Sequence, residues 1–228
     1  MSGGDDLGVV GHELRSPLSA VIGYAQLLRV SDLSEEQRRH VEVIERNGRR
    51  MLRLVEELLV SARLAAGTFE PDRADTDLAA LASGCVTDLT PAARTAGVAL
   101  VPLIPDQVRL SGDPEVLALA IDSLLGAAVR RTPRGGTVTL RVEPPADGVR
   151  DGSDHRWVVV EVTDTGPPVP AGQLGGTGPV RGVALGLPVV AATVAAHGGS
   201  VAVDHPPGAG TRVTITLPVQ SPTESPTE

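Results

Sequence analysis

The stretch that decides the fold is His12-Glu13-Leu14-Arg15-Ser16-Pro17-Leu18, continued by Ser19-Ala20-Val21-Ile22-Gly23-Tyr24-Ala25-Gln26-Leu27-Leu28. Its apolar spacing predicts a helix over 7–29. Pro17 falls inside that helix and has no amide to offer the Glu13 carbonyl, which bends the helix one turn beyond His12. Ser16 follows His12 by four residues and so shares its face. An imidazole, a carboxylate and a hydroxyl are presented together, as phosphoryl transfer to histidine requires. A helical His-Glu pair alone reads as a solvated, salt-bridged face; Pro17 and Ser16 change that reading.

A second helix is predicted over 35–65. Ser34, followed by Glu35, Glu36 and Gln37, is a capping-box start. Val41, Ile44, Gly48, Met51, Val55, Leu58 and Ala62 then recur at intervals of three and four, a heptad seam that Leu52, Leu54 and Leu59 widen. The short turn at 31–33 makes the two helices an antiparallel hairpin. Such a hairpin has a broad apolar face it cannot bury alone, so pairing into a homodimeric four-helix bundle is the expected solution.

The polar, Pro-containing stretch 67–77 reads as a linker after a first domain at 1–66. Beyond it, 78–219 mixes helices and strands. Helices are predicted over 78–96, with an interruption at Pro91, over 114–131, opening at Asp113, and over 185–197, stopped by Gly198-Gly199. Strands are predicted over 98–103, 108–110, 137–142, 157–162, 201–204 and 211–217, with 137–142 and 157–162 antiparallel. The chain is therefore α+β: a helical hairpin, then an α/β sandwich with helices over one face of a mixed sheet. The twice-repeated Ser-Pro-Thr-Glu that ends the chain within 220–228 reads as a disordered tail.

Composition narrows the function. A length of 228 residues suits one large or two modest domains, and a net charge of −8 argues against general nucleic-acid binding. Tyr24, Phe69 and Trp157 are the only aromatic side chains, too few for a base-stacking platform. Cys85 is the only cysteine, which excludes an intrachain disulfide and a thiolate metal cluster. Without a long apolar segment or a signal peptide, the chain reads as cytoplasmic, whether whole or as the soluble portion of a membrane-anchored sensor.

The 12–28 segment resembles the phosphoacceptor box of two-component sensor histidine kinases, and 78–219 resembles the ATP-binding domain of the same family, the histidine kinase/Hsp90-type fold. Asp164-Thr165-Gly166-Pro167 is similar to the first glycine box and Gly182-Val183-Ala184-Leu185-Gly186-Leu187 to the second. His197-Gly198-Gly199 and Gly208-Ala209-Gly210-Thr211 are similar to its closing strands. The resemblance implies that His12 carries phosphate, that Glu13 holds the other ring N–H, and that Ser16 orients a water for dephosphorylation of the partner. It further implies nucleotide contacts at Asp164, Gly166, Arg130, Gly182, Gly186 and Thr211, ATP and Mg²⁺ as cofactors, and the receiver domain of a response regulator as partner.

The departures point the other way. In 124–133, similar to the asparagine box, the Mg²⁺-ligating asparagine falls on Ala127 and the earlier polar position on Ser123; Mg²⁺ wants hard oxygen ligands. Arg130 stands for a phosphate-contacting lysine. Pro168 stands for the second glycine of the first box, Ala184 for a glycine of the second, and the aromatic lid motif between the boxes is missing. No protein metal site is expected, and the nucleotide site reads as degenerate, with impaired ATP-dependent autophosphorylation. The alternatives are a fully active autokinase with a divergent site, or a pseudokinase or phosphatase scaffold. An unrelated ATPase of the same fold has no use for His12 in its motif.

Overall fold

The computed structural model describes residues 3–65, 68–145, 156–169, 186–207 and 210–219, with only the backbone described at 3–10, 12, 64–65 and 186. The chain forms two compact units, Met1–Phe69 and Glu70–Glu228.

The first unit is a hairpin of α1 (Gly3–Arg29) and α2 (Glu35–Ala65). α1 begins four residues before the predicted position and runs on through Pro17. The Ser34 box is reciprocal: the Ser34 amide donates to Gln37 Oε1 at 2.9 Å and the Gln37 amide to Ser34 Oγ at 3.2 Å. Ile22, Ala25, Val41, Leu59 and Val60 are buried between the helices. Two glycines set their approach, for a Cβ at Gly11 would stand 2.6 Å from Leu59 Cδ1 and one at Gly48 3.0 Å from Ile22 Cγ1. Buried Glu45 joins the helices, accepting from Arg29 at 3.2 Å and Arg49 at 3.1 Å. Burial works against its charge, but the two guanidiniums prevail and hold it below the usual carboxylate range. The predicted seam divides: Val41 faces α1, whereas Ile44, Met51 and Leu58 stay exposed. Leu14, Val21 and Leu28, also seven residues apart, are exposed on α1.

The second unit contains β1 (Ala74–Asp77), α3 (Leu78–Ala96), β2 (Ala99–Leu103), β3 (Arg109–Gly112), α4 (Pro114–Arg131), β4 (Thr137–Glu143), β5 (Arg156–Asp164), α5 (Gly186–Ala196), β6 (Ser200–Asp204) and β7 (Arg212–Val219). The main sheet runs β2-β4-β5-β7-β6, with β2 parallel to β4 and the remaining pairs antiparallel. Val138, Leu140 and Val142 on β4, Val158, Val160 and Val162 on β5, and Val213, Ile215 and Leu217 on β7 alternate into the core. That period of two leaves one face of the sheet covered, and α3, α4 and α5 supply apolar side chains to the same core. Burying Leu125, Leu140 or Leu217 contributes about 1.5–3 kcal/mol each.

Two expectations are corrected. α3 is not interrupted at Pro91: the helix is continuous, and Pro91 is exposed, so the carbonyl it leaves without a donor can turn to water. The 67–77 stretch is not all linker, because Ala74–Asp77 pairs antiparallel with β3. Thr76 is buried there, its hydroxyl donating to the Gly112 carbonyl at 2.8 Å. Asp77 caps α3, accepting from the amides of Ala79 at 3.1 Å and Ala80 at 3.4 Å, and ties in the Val108 amide at 3.2 Å. Asp113 caps α4 as predicted, accepting from Glu115 at 3.0 Å and Val116 at 3.3 Å. α3 ends on Gly97 at φ 72°, the left-handed cap that favours glycine.

Candidate functional site

The candidate residues fall into one group on each unit. On the hairpin, His12 belongs to α1 by its backbone, and its side chain lies outside the described residues. Its neighbours Glu13 and Ser16 are exposed on the same helix. Arg15 Nε lies 3.4 Å from Glu56 Oε1, an ion pair from α1 to α2 around the His12 turn. Gly11, immediately before His12, is the close-approach glycine against Leu59. No motif marks it; its small size where two apolar helix faces meet is the signal in the sequence.

On the second unit the cluster forms where β5 ends beside the start of β7. Asp164 is 1% exposed. Its Oδ1 accepts from the Gly166 amide at 2.8 Å and the Thr211 amide at 3.4 Å. Backbone bonds close the same turn: Asp164 N–H donates to the Thr211 carbonyl at 2.9 Å and Gly210 N–H to the Asp164 carbonyl at 2.7 Å. The Thr211 hydroxyl accepts from Val169 N–H at 3.2 Å. Asp164, Gly166 and Thr211 are therefore brought together as the sequence implied. A Cβ on Gly166 would lie 2.9 Å from the Arg131 carbonyl oxygen, so only glycine fits the gap between this loop and the end of α4.

The other predicted contacts divide. Gly182 lies outside the described residues, as do Ala184 and the segment that stands where a lid would be. Gly186 is the first residue of α5. Arg130 is exposed on α4, its guanidinium folded back so that Nη1 is 3.1 Å from where a Gly126 Cβ would stand. Pro168 is exposed and Val169 buried. Arg131, which no motif marks, reaches the cluster instead: its guanidinium donates to Asp164 Oδ2 in a largely buried ion pair.

A nucleobase fits this cluster in one respect. A buried carboxylate is a suitable acceptor for an exocyclic amino group, although Arg131 engages the oxygen that the backbone amides leave. The Ala127 side chain has no oxygen to give a cation, and Ser123, one turn earlier, is buried. Among the described residues no group of three or more His, Cys, Asp or Glu side chains could hold a metal ion. None of the described helices is long and apolar enough to cross a membrane.

His197 closes the far end of α5. Its Nε2 accepts from the Asp113 amide at 3.0 Å, so Nδ1 carries the proton and donates to the Thr193 carbonyl at 2.8 Å. Burial, helped by the charge of Arg73 and opposed by the Thr193 carbonyl and Asp113, holds its pKa below the ordinary 6.5. Its role is to fasten α5 to the start of α4.

Comparison with known proteins matches residues 7–67 to the family described as "His Kinase A (phospho-acceptor) domain" and 112–221 to "Histidine kinase-, DNA gyrase B-, and HSP90-like ATPase". "Sensor protein DivL" of Caulobacter vibrioides is 33% identical over 94% of this chain and 28% of its own length. "Histidine protein kinase DivJ" of the same organism is 31% identical over 92% and 36%. "Probable sensor histidine kinase TcrY" of Mycobacterium tuberculosis is 33% identical over 91% and 44%. The chain thus spans between a quarter and a half of these relatives. Among solved structures, full-length ShkA in complex with AMPPNP superposes with a TM-score of 0.62 at 28% identity, covering 95% of this chain and 46% of that one.

Proposed function

We propose that this chain, which belongs to the two-component sensor histidine kinase family, carries a phosphoryl group on His12 and exchanges it with an aspartate of a response-regulator receiver domain. The observation that carries the reading is the phosphoacceptor match over 7–67, which puts His12 and Ser16 one turn apart on α1 of a two-helix hairpin. One ring nitrogen of His12 takes the phosphoryl group. Glu13 holds the other ring N–H, fixing the tautomer and balancing the developing positive charge. Ser16, exposed one turn on, orients the water that returns the partner to its unphosphorylated form. The exposed sevens Leu14-Val21-Leu28 and Ile44-Met51-Leu58 support a homodimer through the hairpin, and light scattering of a monomer at micromolar concentration would remove that part.

In this family ATP supplies the phosphoryl group and Mg²⁺ neutralises it during transfer. Asp164 and Gly166 would hold the base, and Arg130 and the start of α5 at Gly186 would face phosphate. Autophosphorylation is impaired here, on our reading, because Ala127 gives the metal no ligand and Pro168 and Ala184 stand where glycines allow close approach. A divergent but active site is the competing reading, favoured by the intact Asp164 cluster.

Calorimetric titration with Mg·ATP, followed by assay for acid-labile, base-stable phosphate, separates them. Weak binding, no labelling from ATP, and acceptance of phosphate by His12 from a phosphorylated receiver domain support the proposal. Rapid labelling of His12 at micromolar Mg·ATP establishes the active kinase. Phosphate retained on a His12→Ala chain overturns the assignment of His12.

A further inference from the structure

The contact between Arg131 and Asp164 alters what the base position offers. Asp164 is 1% exposed, and Oδ1 is engaged by the amides of Gly166 and Thr211. Its other oxygen takes the Arg131 guanidinium. Arg131 arrives from the last turn of α4, its side chain 16% exposed, and its Nε is buried with no hydrogen-bond partner among the described residues. A ligand edge entering beside Asp164 therefore meets a cation with donor capacity to spare, where a bare carboxylate would have presented acceptors only.

From this we infer that Arg131 sets the nucleobase selectivity of the site, turning it from adenine toward 6-oxopurines. The inference rests on the proposed reading that the Asp164 cluster takes a purine base. At C6, adenine carries an amino group that needs an acceptor, whereas hypoxanthine and guanine carry a carbonyl that needs a donor. The adenine amino group has to displace or share an Arg131 hydrogen bond to reach Asp164. A 6-oxopurine leaves the ion pair in place: its O6 accepts from the guanidinium, and its N1–H lies toward the remaining lone pair of Asp164. A buried donor that stays unpaired penalises the wrong ligand more than its satisfaction rewards the right one, so the polarity of this one contact weighs heavily in discrimination.

Titration of the full chain with ATP, GTP and ITP, with and without Mg²⁺, tests this by binding alone. GTP and ITP are expected to bind at least as tightly as ATP. Arg131→Gln, whose amide keeps a weaker hydrogen bond to Asp164, should shift the ratio of ATP to GTP affinity toward ATP by roughly ten- to hundredfold, the worth of one charged hydrogen bond. Arg131→Ala should shift it further if the chain folds, which Trp157 fluorescence reports. A preference for ATP over both oxopurines of more than tenfold in the parent chain overturns the inference. So does a ratio that Arg131→Gln leaves unchanged, and in both cases the nucleotide site itself stands. If no purine nucleotide binds the parent, Arg131→Gln, or Arg131→Gln combined with Ala127→Asn, Pro168→Gly and Ala184→Gly, the nucleotide reading fails and the inference falls with it.

Discussion

Replacing Gly210 with alanine gives a test whose size follows from distances. A methyl group at Gly210 acts through the space around it, which is already filled. The new Cβ would stand 2.2 Å from the Gly166 carbonyl oxygen, 2.5 Å from Asp164 Oδ1 and 2.8 Å from the Gly166 amide nitrogen. Carbon and oxygen at ordinary contact need roughly 1 Å more than the first of these. Two of the three atoms are backbone, so no rotamer change relieves the overlap. Forcing a methyl into a filled site costs about 1–3 kcal/mol, and pushing the loop away weakens the 2.7 Å bond from Gly210 N–H to the Asp164 carbonyl, worth about 1 kcal/mol more. A loss of about 3 kcal/mol is expected. Gly84 supplies the opposite sign, since it is exposed within α3 and its added Cβ meets nothing within 4 Å. Gly84→Ala should gain about 0.8–1 kcal/mol from helix propensity. Trp157, the only tryptophan, lies on β5 and reports this unit selectively. With a urea m value of about 2 kcal/mol/M, the Gly210 midpoint should fall by about 1.5 M and the Gly84 midpoint rise by about 0.4 M. A Gly210→Ala midpoint within about 0.3 M of the parent, well inside that shift, would refute the packing argument.

Three further outcomes are expected. His197 is held neutral, with a folded pKa below the ordinary 6.5, so the unfolded chain binds a proton that the native chain refuses. That stability is complete above the unfolded pKa and drains by up to about 1.4 kcal/mol per pH unit as pH falls below it; urea melts from pH 8 to 5.5 should show the slope, and His197→Gln should flatten it. Cys85 is buried, and that burial, followed by the charges of Asp122 and Asp88, pushes its thiol up to about 12. Its reaction with a disulfide reagent at pH 8 should therefore proceed only as fast as the unit opens, and a fast burst of labelling in the native chain would contradict this. Asp77→Ala deprives the amides of Ala79, Ala80 and Val108 of their shared acceptor and should cost about 2 kcal/mol in the same Trp157 melt, whereas Asp77→Asn should retain most of it.

The hairpin was legible because its information is local. Apolar spacing, the Ser34 box and the turn at 31–33 can each be read within one or two turns of helix, and the structure places both helices there. The cap at Asp113 was legible for the same reason, with Pro114 at the first helical position beside it. β1 was not, because Ala-Asp-Thr-Asp has no strand pattern of its own; it becomes a strand only through β3, some 35 residues away in register with it. The grouping of Asp164, Gly166 and Thr211 was implied by motif order, but the arrival of Arg131 was not. That contact depends on where α4 stops relative to the end of β5, a tertiary relation across 33 residues that neither segment's composition encodes. The seam on α2 was right in period and incomplete in meaning, since a single hairpin covers Val41 and leaves Ile44, Met51 and Leu58 outside.

The way Asp164 is held bears on how such chains diverge. The Gly166 amide of its own turn and the Thr211 amide just before β7 are bonded to one carboxylate oxygen, so the residue finishes the β5–β7 corner whether or not a nucleotide ever arrives. Selection for folding alone is enough to retain it. A descendant that had abandoned ATP altogether would still display this aspartate, and its persistence there carries little news about catalysis. Residue 127, partly buried within α4, takes no part in that hydrogen-bonded corner and is not held in the same way. An aspartate at this corner is evidence of the fold before it is evidence of the nucleotide.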